Sequence, residues 1–364
     1  MILSIVTFVL VLGILVFVHE LGHFLVAKWT GMRVDEFALG FPPRVFAIKR
    51  GETTYAINAL PLGGYVKIYG ENGLNEEGDP RAFDRKSVWA RTLVLVAGVC
   101  MNLVFAFLAL CVAYTVGFPA ISAEIESIPG AVVTSGQVLV ADTVAGSAAA
   151  RAGVQSGDIV VSFLDPQNGK RTDIQTIDDL QAYTSSRQAA HDLSVQVTLD
   201  RDETSVTLPV SLAAAGTPLG VEVVGADSIR LPFYRTPEAA IQVINTVGTS
   251  TWYALKDFAT SLFHAKLDRD ISGPVGIYKA TSSAAQDGFA SVVFLTVALS
   301  INLALLNILP IPVLDGGKLL FVLIEAAFKR RVIAVEVENI ITTISFALLI
   351  LLIGIVTLKD IGVF

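Results

Sequence analysis

The chain has 364 residues, a net charge of −7, and 16% charged against 53% hydrophobic side chains. A soluble domain carries about 25% charged residues, so the composition excludes a disordered chain and argues against a wholly soluble enzyme. No basic surplus exists to hold a nucleic acid.

Four apolar runs take up the charge deficit: 2–27, 92–123, 288–314 and 339–358. Each can cross a hydrocarbon core, which takes about 20 helical residues. The first run holds one charge, Glu20, and no Lys or Arg precedes Lys28. It also lacks a small-residue cleavage site, so it reads as a retained transmembrane helix and not a signal peptide. Within it stands His19-Glu20-Leu21-Gly22-His23, an HExxH pattern. Residues four apart share a helical face, so both imidazoles suit one Zn²⁺, with Glu20 beside them as general base. Ionisable groups in an apolar run are costly and persist with a partner or a function. A divalent metal supplies both.

Between the first two runs, 44–49 and 53–57 flank Arg50-Gly51-Glu52, a hairpin pattern. Pro61-Leu62-Gly63-Gly64-Tyr65-Val66-Lys67 follows as a second extended piece, and 70–82 is acidic and glycine-rich. Cys100 and Cys111 both sit in the second run, about 16 Å apart along a helix, too far to pair. Segment 128–225 has the size of a small domain, with strand-like runs at 137–144, 158–164, 193–199 and 205–212 and helical ones at 147–152 and 177–187. Its Ala145-Gly146-Ser147…Gly153…Gly157-Asp158-Ile159-Val160 pattern resembles bacterial PDZ domains, and Leu219-Gly220-Val221 would then be the carboxylate-binding turn. Such a groove takes a peptide as an added strand. An unrelated insert, or a domain that only blocks access, are the alternatives. Segment 233–266 has apolar residues at helical spacing, and Trp252 and Tyr253 suit a membrane interface.

The third run ends in Asn307-Ile308-Leu309-Pro310-Ile311-Pro312-Val313-Leu314-Asp315-Gly316-Gly317. Two prolines two apart stop a helix, so extended backbone is expected there, lining a cavity. A zinc hydrolase needs a third protein ligand. His191 and His264 fall in the external segment, which leaves Asp315 as the better candidate. Lys28, Arg33, Arg85, Lys86, Arg91, Lys329, Arg330 and Arg331 flank the runs and place 28–91 and 315–338 in the cytoplasm. Segment 118–287 and both termini then lie outside.

HELGH with NILPIPVLDGG resembles the site-2 protease family of intramembrane zinc metalloproteases, in its bacterial regulator-of-sigma-E protease branch. PLGGYVK at 61–67, Phe83…Lys86…Arg91…Ala97-Gly98-Val99-Cys100-Met101-Asn102 and Gly273-Pro274-Val275-Gly276-Ile277 extend the likeness. Val99 stands where the family usually has proline, and there is room for one PDZ-like domain where that branch often has two. The expected fold is a polytopic α-helical membrane protein. Its four transmembrane helices (1–30, 92–120, 288–317, 339–358) alternate with a cytoplasmic hairpin loop (31–91), an inserted extracytoplasmic α/β PDZ-like domain (128–225), an amphipathic segment (226–287) and a cytoplasmic loop (318–338).

The resemblance implies a zinc endopeptidase of the bacterial inner membrane, with one Zn²⁺ on His19, His23 and Asp315 and Glu20 as base. It implies Asn307 as an added oxyanion or substrate-backbone donor, and a sheet edge at Gly63, Gly64 and Tyr65 that holds the unwound substrate. Asn302 and Asn102 read as polar contacts between helices. Family substrates are single-span proteins already shortened by another protease, such as anti-sigma factors, and signal-peptide remnants. The alternative from another class is a non-catalytic membrane scaffold whose PDZ-like domain binds tails.

Overall fold

The computed structural model describes residues 2–71, 79–119, 125, 127–134, 138–144, 146–201, 204–214, 216–225, 228–263 and 273–361. The chain divides into two compact units, one of 1–110 with 240–364 and one of 111–239.

The first unit is built on apolar helices. α1 (Ile2–Trp29), α2 (Val88–Val116, which enters the second unit at its end), α7 (Phe289–Asn307) and α9 (Val335–Asp360) are long and apolar enough to cross a membrane. Between α1 and α2 lie β1 (Val34–Arg50) and β2 (Thr53–Ile68), joined by the two-residue turn at Gly51 and Glu52. Each long strand forms two legs. Residues 36–39 pair with 64–67 on one side and 54–57 on the other, and 54–57 pair with 46–49 beyond. The outcome is a four-legged sheet whose edges are 64–68 and 44–50.

The sheet leans on α1 through aromatic edges. The Phe37 ring lies 5.9 Å from Phe17 and 5.2 Å from Phe24, with Tyr55 5.8 Å from Phe24. Leu39, Gly40, Ile57 and Asn58 share a cavity with Val9, Gly13 and Phe17. The sheet thus runs far along the apolar helix and exposes Val45, Phe46 and Ile57. The β-hairpin expected within 31–91 is thus present and lies along α1. Its apolar outer side chains suit the helix it follows, not water.

The third apolar run breaks at its prolines, as their spacing implies. α7 ends at Asn307, turns fill 308–314, and a new helix, α8, runs Asp315–Phe328. Much of the loop expected at 318–338 is therefore helical. Arg91 of α2 grips Glu325 of α8 with both terminal nitrogens, at 2.9 and 2.7 Å. The amphipathic segment is realised as α5 (Thr236–Phe263), with Trp252 and Tyr253 exposed, followed by α6 (Pro274–Asp287).

In the second unit the sheet order is β10-β5-β6-β8-β9: β10 (Val221–Gly225), β5 (Val138–Thr143), β6 (Ile159–Leu164), β8 (Ser194–Arg201) and β9 (Thr204–Ser211). β7 (Arg171–Asp173) joins β6. α3 (Ala148–Ala152) and α4 (Ile177–Ala189) accompany the sheet; alternation buries Val138 with Val140 and Val197 with Leu199, and a register shift in β6 lets Val160 and Phe163 both face the core. A separate small sheet is ordered β3-β11-β4, from Phe118–Pro119, Ser228–Arg230 and Val132–Thr134.

Candidate functional site

His19 and His23 lie one turn apart on α1, both buried, with ring centroids 4.8 Å apart. Their environment orients the rings. His23 Nδ1–H donates to the Val94 carbonyl at 2.7 Å, which leaves the Nε2 lone pair free. His19 Nδ1 lies 3.2 Å from Asn102 Nδ2. Asn102 is fully buried and its Oδ1 has no partner in that orientation. Turning the amide, an assignment set only by the hydrogen-bond network, puts the oxygen on a His19 Nδ1–H and frees Nε2 there too. Such outer partners fix the tautomer of a ligating histidine.

Asp315 completes the cluster. Its Oδ2 lies 3.0 Å from His19 Nε2 and 3.2 Å from His23 Nε2, and the two Nε2 atoms are 3.2 Å apart. Zinc bonds of about 2.0 Å separate tetrahedral ligands by about 3.3 Å, so the triangle fits one ion. Among the described residues it is the trio of His, Cys, Asp and Glu whose ligand atoms all lie within 4.8 Å of one another.

Local sequence explains how Asp315, 296 residues from His19, arrives there. The prolines stop α7, and hydrogen bonds from Leu309 N to Leu306 O and from Leu314 N to Ile311 O fold the chain into turns. Residues 308–314 thus form turns and not the extended backbone that the prolines imply, with the Leu309, Ile311 and Leu314 amides bonded within them. α8 then packs onto those turns through glycine. A Cβ on Gly316 or Gly317 would overlap the carbonyls of Ile308 or Ile311. Glycine is likewise required where α2 meets the imidazoles. A Cβ on Gly98 would lie 2.7 Å from His19 Cε1 and 2.8 Å from His19 Nε2, and closer still to His23 Nε2.

A cavity of about 160 Å³ opens on the cluster, lined by His19, Glu20, His23, Tyr65, Asp315 and Lys318 among others. Glu20 therefore shares a space with the three ligand-type side chains. Gly64 lets the sheet edge reach α1, since a Cβ there would stand 3.0 Å from Val16 Cγ1 and 3.3 Å from Glu20 Cγ. Tyr65 lines the cavity and donates its hydroxyl to Glu36 at 3.1 Å. Gly63 stands at φ 140° with no room for a Cβ beside the Phe41 ring.

Asn307, the last residue of α7, has its Nδ2 3.3 Å from His19 Nε2. Asn302 accepts from Thr251 at 2.5 Å, a contact between helices as expected. Asn102 is different, because it contacts His19 directly. Asn102, Gly98 and the Val94 carbonyl were not legible as site groups. The available signal was a glycine and an asparagine four residues apart in an apolar run.

The remaining candidates belong to the second unit. Leu219 is buried, and its carbonyl and that of Gly220 accept from Ala149 N and Val144 N. Gly220 is left-handed at φ 70°, against Ser147, and Val221 opens the edge strand β10. His191 lies in a turn of that unit at φ 53°, and His264 lies outside the described residues.

Comparison with known proteins bears on this geometry. The model of peptidase family M50 matches residues 7–352. A Clostridium acetobutylicum protein provisionally named a zinc metalloprotease is 34% identical over 98% of this chain and 97% of its own length. Similar proteins with the same provisional name occur in Fusobacterium nucleatum, 34% identical over 87% of each chain, and in Rhizobium meliloti, 30% identical over 96% of this chain and 94% of the relative. With the family matched over nearly the whole length and four helices able to span a bilayer, this chain belongs to peptidase family M50, the site-2 proteases, and is a zinc metalloprotease of the membrane.

Proposed function

We propose that the chain cleaves peptide bonds within or beside the transmembrane segments of single-span proteins, with His19, His23 and Asp315 as zinc ligands and Glu20 as general base. The triangle of 3.0–3.2 Å beside Glu20 in one cavity carries this reading. When bound, zinc supplies Lewis acidity, polarising a carbonyl and acidifying a water.

The chain's own residues do the rest. The Glu20 carboxylate takes the proton of the attacking water and returns it to the leaving amine. Asn307 donates its amide hydrogen to the substrate carbonyl, where negative charge develops. Helical amides are sterically shielded, so the substrate must be unwound. The 64–68 edge, with Gly64 and Tyr65, pairs with the extended chain through backbone hydrogen bonds, and Gly63 allows its close approach.

The second unit acts as an extracytoplasmic PDZ-like domain. Its edge strand β10 and the Leu219–Gly220–Val221 turn select or exclude substrate ectodomains. The protein works in the bacterial inner membrane, with the centre toward the cytoplasm and both termini outside. Its substrates are anti-sigma-factor-like proteins first shortened by another protease, and signal-peptide remnants.

Glu20→Gln tests the reading. Purified in detergent with a single-span substrate, the variant should bind zinc normally and cut at least about 10³-fold more slowly. Equal cleavage by both proteins would refute the assignment, and a zinc-loaded wild type that cuts no substrate would favour a scaffold.

A further inference from the structure

Two charged residues of the catalytic cavity have no part in the chemistry above. Lys318 and Glu71 both line it, and Lys318 Nζ donates to Glu71 Oε1 at 2.6 Å. Lys318 follows Asp315 by three residues on α8, so both side chains leave the same helical face. Glu71 follows the end of β2 by three residues, and its N–H donates to the Ile68 carbonyl at 3.3 Å. The ion pair therefore ties the end of the sheet edge to the helix that carries Asp315. Its side chains are mostly shielded, 34% exposed for Lys318 and 17% for Glu71.

A strand edge offers evenly repeated donors and acceptors, and backbone pairing alone specifies register weakly. Proteolysis at one bond needs one register, because the carbonyl must stand at the reacting centre to within about 1 Å. Something must stop the substrate strand at a fixed point. We propose that the Glu71–Lys318 ion pair is a positioning bolt. It fixes the 64–68 edge relative to Asp315 and closes one end of the substrate groove, so that an extended chain pairs in a single register. An ammonium has three donors and Glu71 takes one of them. Another can cap the last substrate carbonyl of the ladder. This role rests on the protease reading.

The test maps the scissile bond. Full-length protein in lipid nanodiscs is incubated with one single-span substrate, and the products are identified by mass spectrometry. Wild type should cut one bond. Glu71→Gln and Lys318→Met should keep one zinc each, cut that bond about fivefold or more slowly, and add products displaced by one or two residues. The swap Glu71→Lys with Lys318→Glu keeps both charges and should restore the single cut. Single variants that cut only the wild-type bond, at whatever rate, would overturn the proposal. So would loss of zinc in them, or a swap that restores nothing. A zinc-loaded wild type that cuts no substrate would count against the protease reading instead.

Discussion

Gly98→Ala puts the smallest possible side chain against the metal-ligating geometry. The new methyl carbon would start 2.7 Å from His19 Cε1 and 2.8 Å from its Nε2, with His23 Nε2 nearer. Non-bonded contacts of carbon settle at about 3.5 Å or more, so the nearest ring, that of His23, must retreat by roughly 1 Å or the helices must part. Metal sites tolerate about 0.2 Å in ligand distance, and a displacement near 1 Å costs about 10²-fold in rate. Helix propensity pulls the other way, since alanine favours a helix over glycine by about 1 kcal/mol. The two effects thus predict opposite outcomes. We expect Gly98→Ala to lose about 10²-fold in cleavage rate, with zinc affinity reduced alongside. Gly354→Ala is the control, because a Cβ at Gly354 meets nothing within 4 Å, and it should match or exceed wild-type stability. Zinc per protein after dialysis against graded chelator, together with initial cleavage rates, reads both quantities. Wild-type zinc affinity in Gly98→Ala would refute the steric argument.

Asn102→Ala should lower zinc affinity or activity about 10–100-fold by freeing the His19 ring, and chelator titration checks it. Asp315→Ala removes one ligand-type oxygen from the triangle, so one tightly bound zinc with unchanged affinity would contradict the assignment. In the second unit, hydrogen bonds from Arg187, then from the Gln167 amide, hold the Asp165 carboxyl below its ordinary range. A depressed folded-state pKa stabilises above the unfolded value of about 3.9, and that contribution is lost as the pH falls through the folded value. Asp165→Asn should therefore lower protection of the β6 and β8 amides at neutral pH and flatten its decline below about pH 4. Equal pH profiles by hydrogen exchange would show that the pair contributes nothing.

The HELGH spacing was legible because helical period alone brings positions 19 and 23 to one face, whatever surrounds them. The place of Asp315 beside the two imidazoles was legible through chemistry, since a zinc hydrolase needs a third ligand and this carboxylate ends an apolar run. The restart of the chain as α8 was not. Prolines announce where a helix stops, but the next helix depends on Gly316 and Gly317 packing against carbonyls several residues earlier. Asn102 read as a generic helix contact because its partner lies 83 residues away. The folded-over strands were missed for a similar reason. Alternation marks 44–49 and 53–57 as strands, but it does not say that 36–39 will be flanked on both sides.

The crossing of α1 and α2 has a mechanical consequence. A Cβ on Gly22 would overlap the Ala97 carbonyl, so the two backbones touch beside the imidazoles. The contact runs from Val94, whose carbonyl takes the His23 Nδ1–H, past Gly98 to Asn102 beside His19, so the helices are held along about two turns. The α1–α2 spacing at the imidazoles is thus set by backbone contact, and any side chain larger than glycine at 22 or 98 changes it directly.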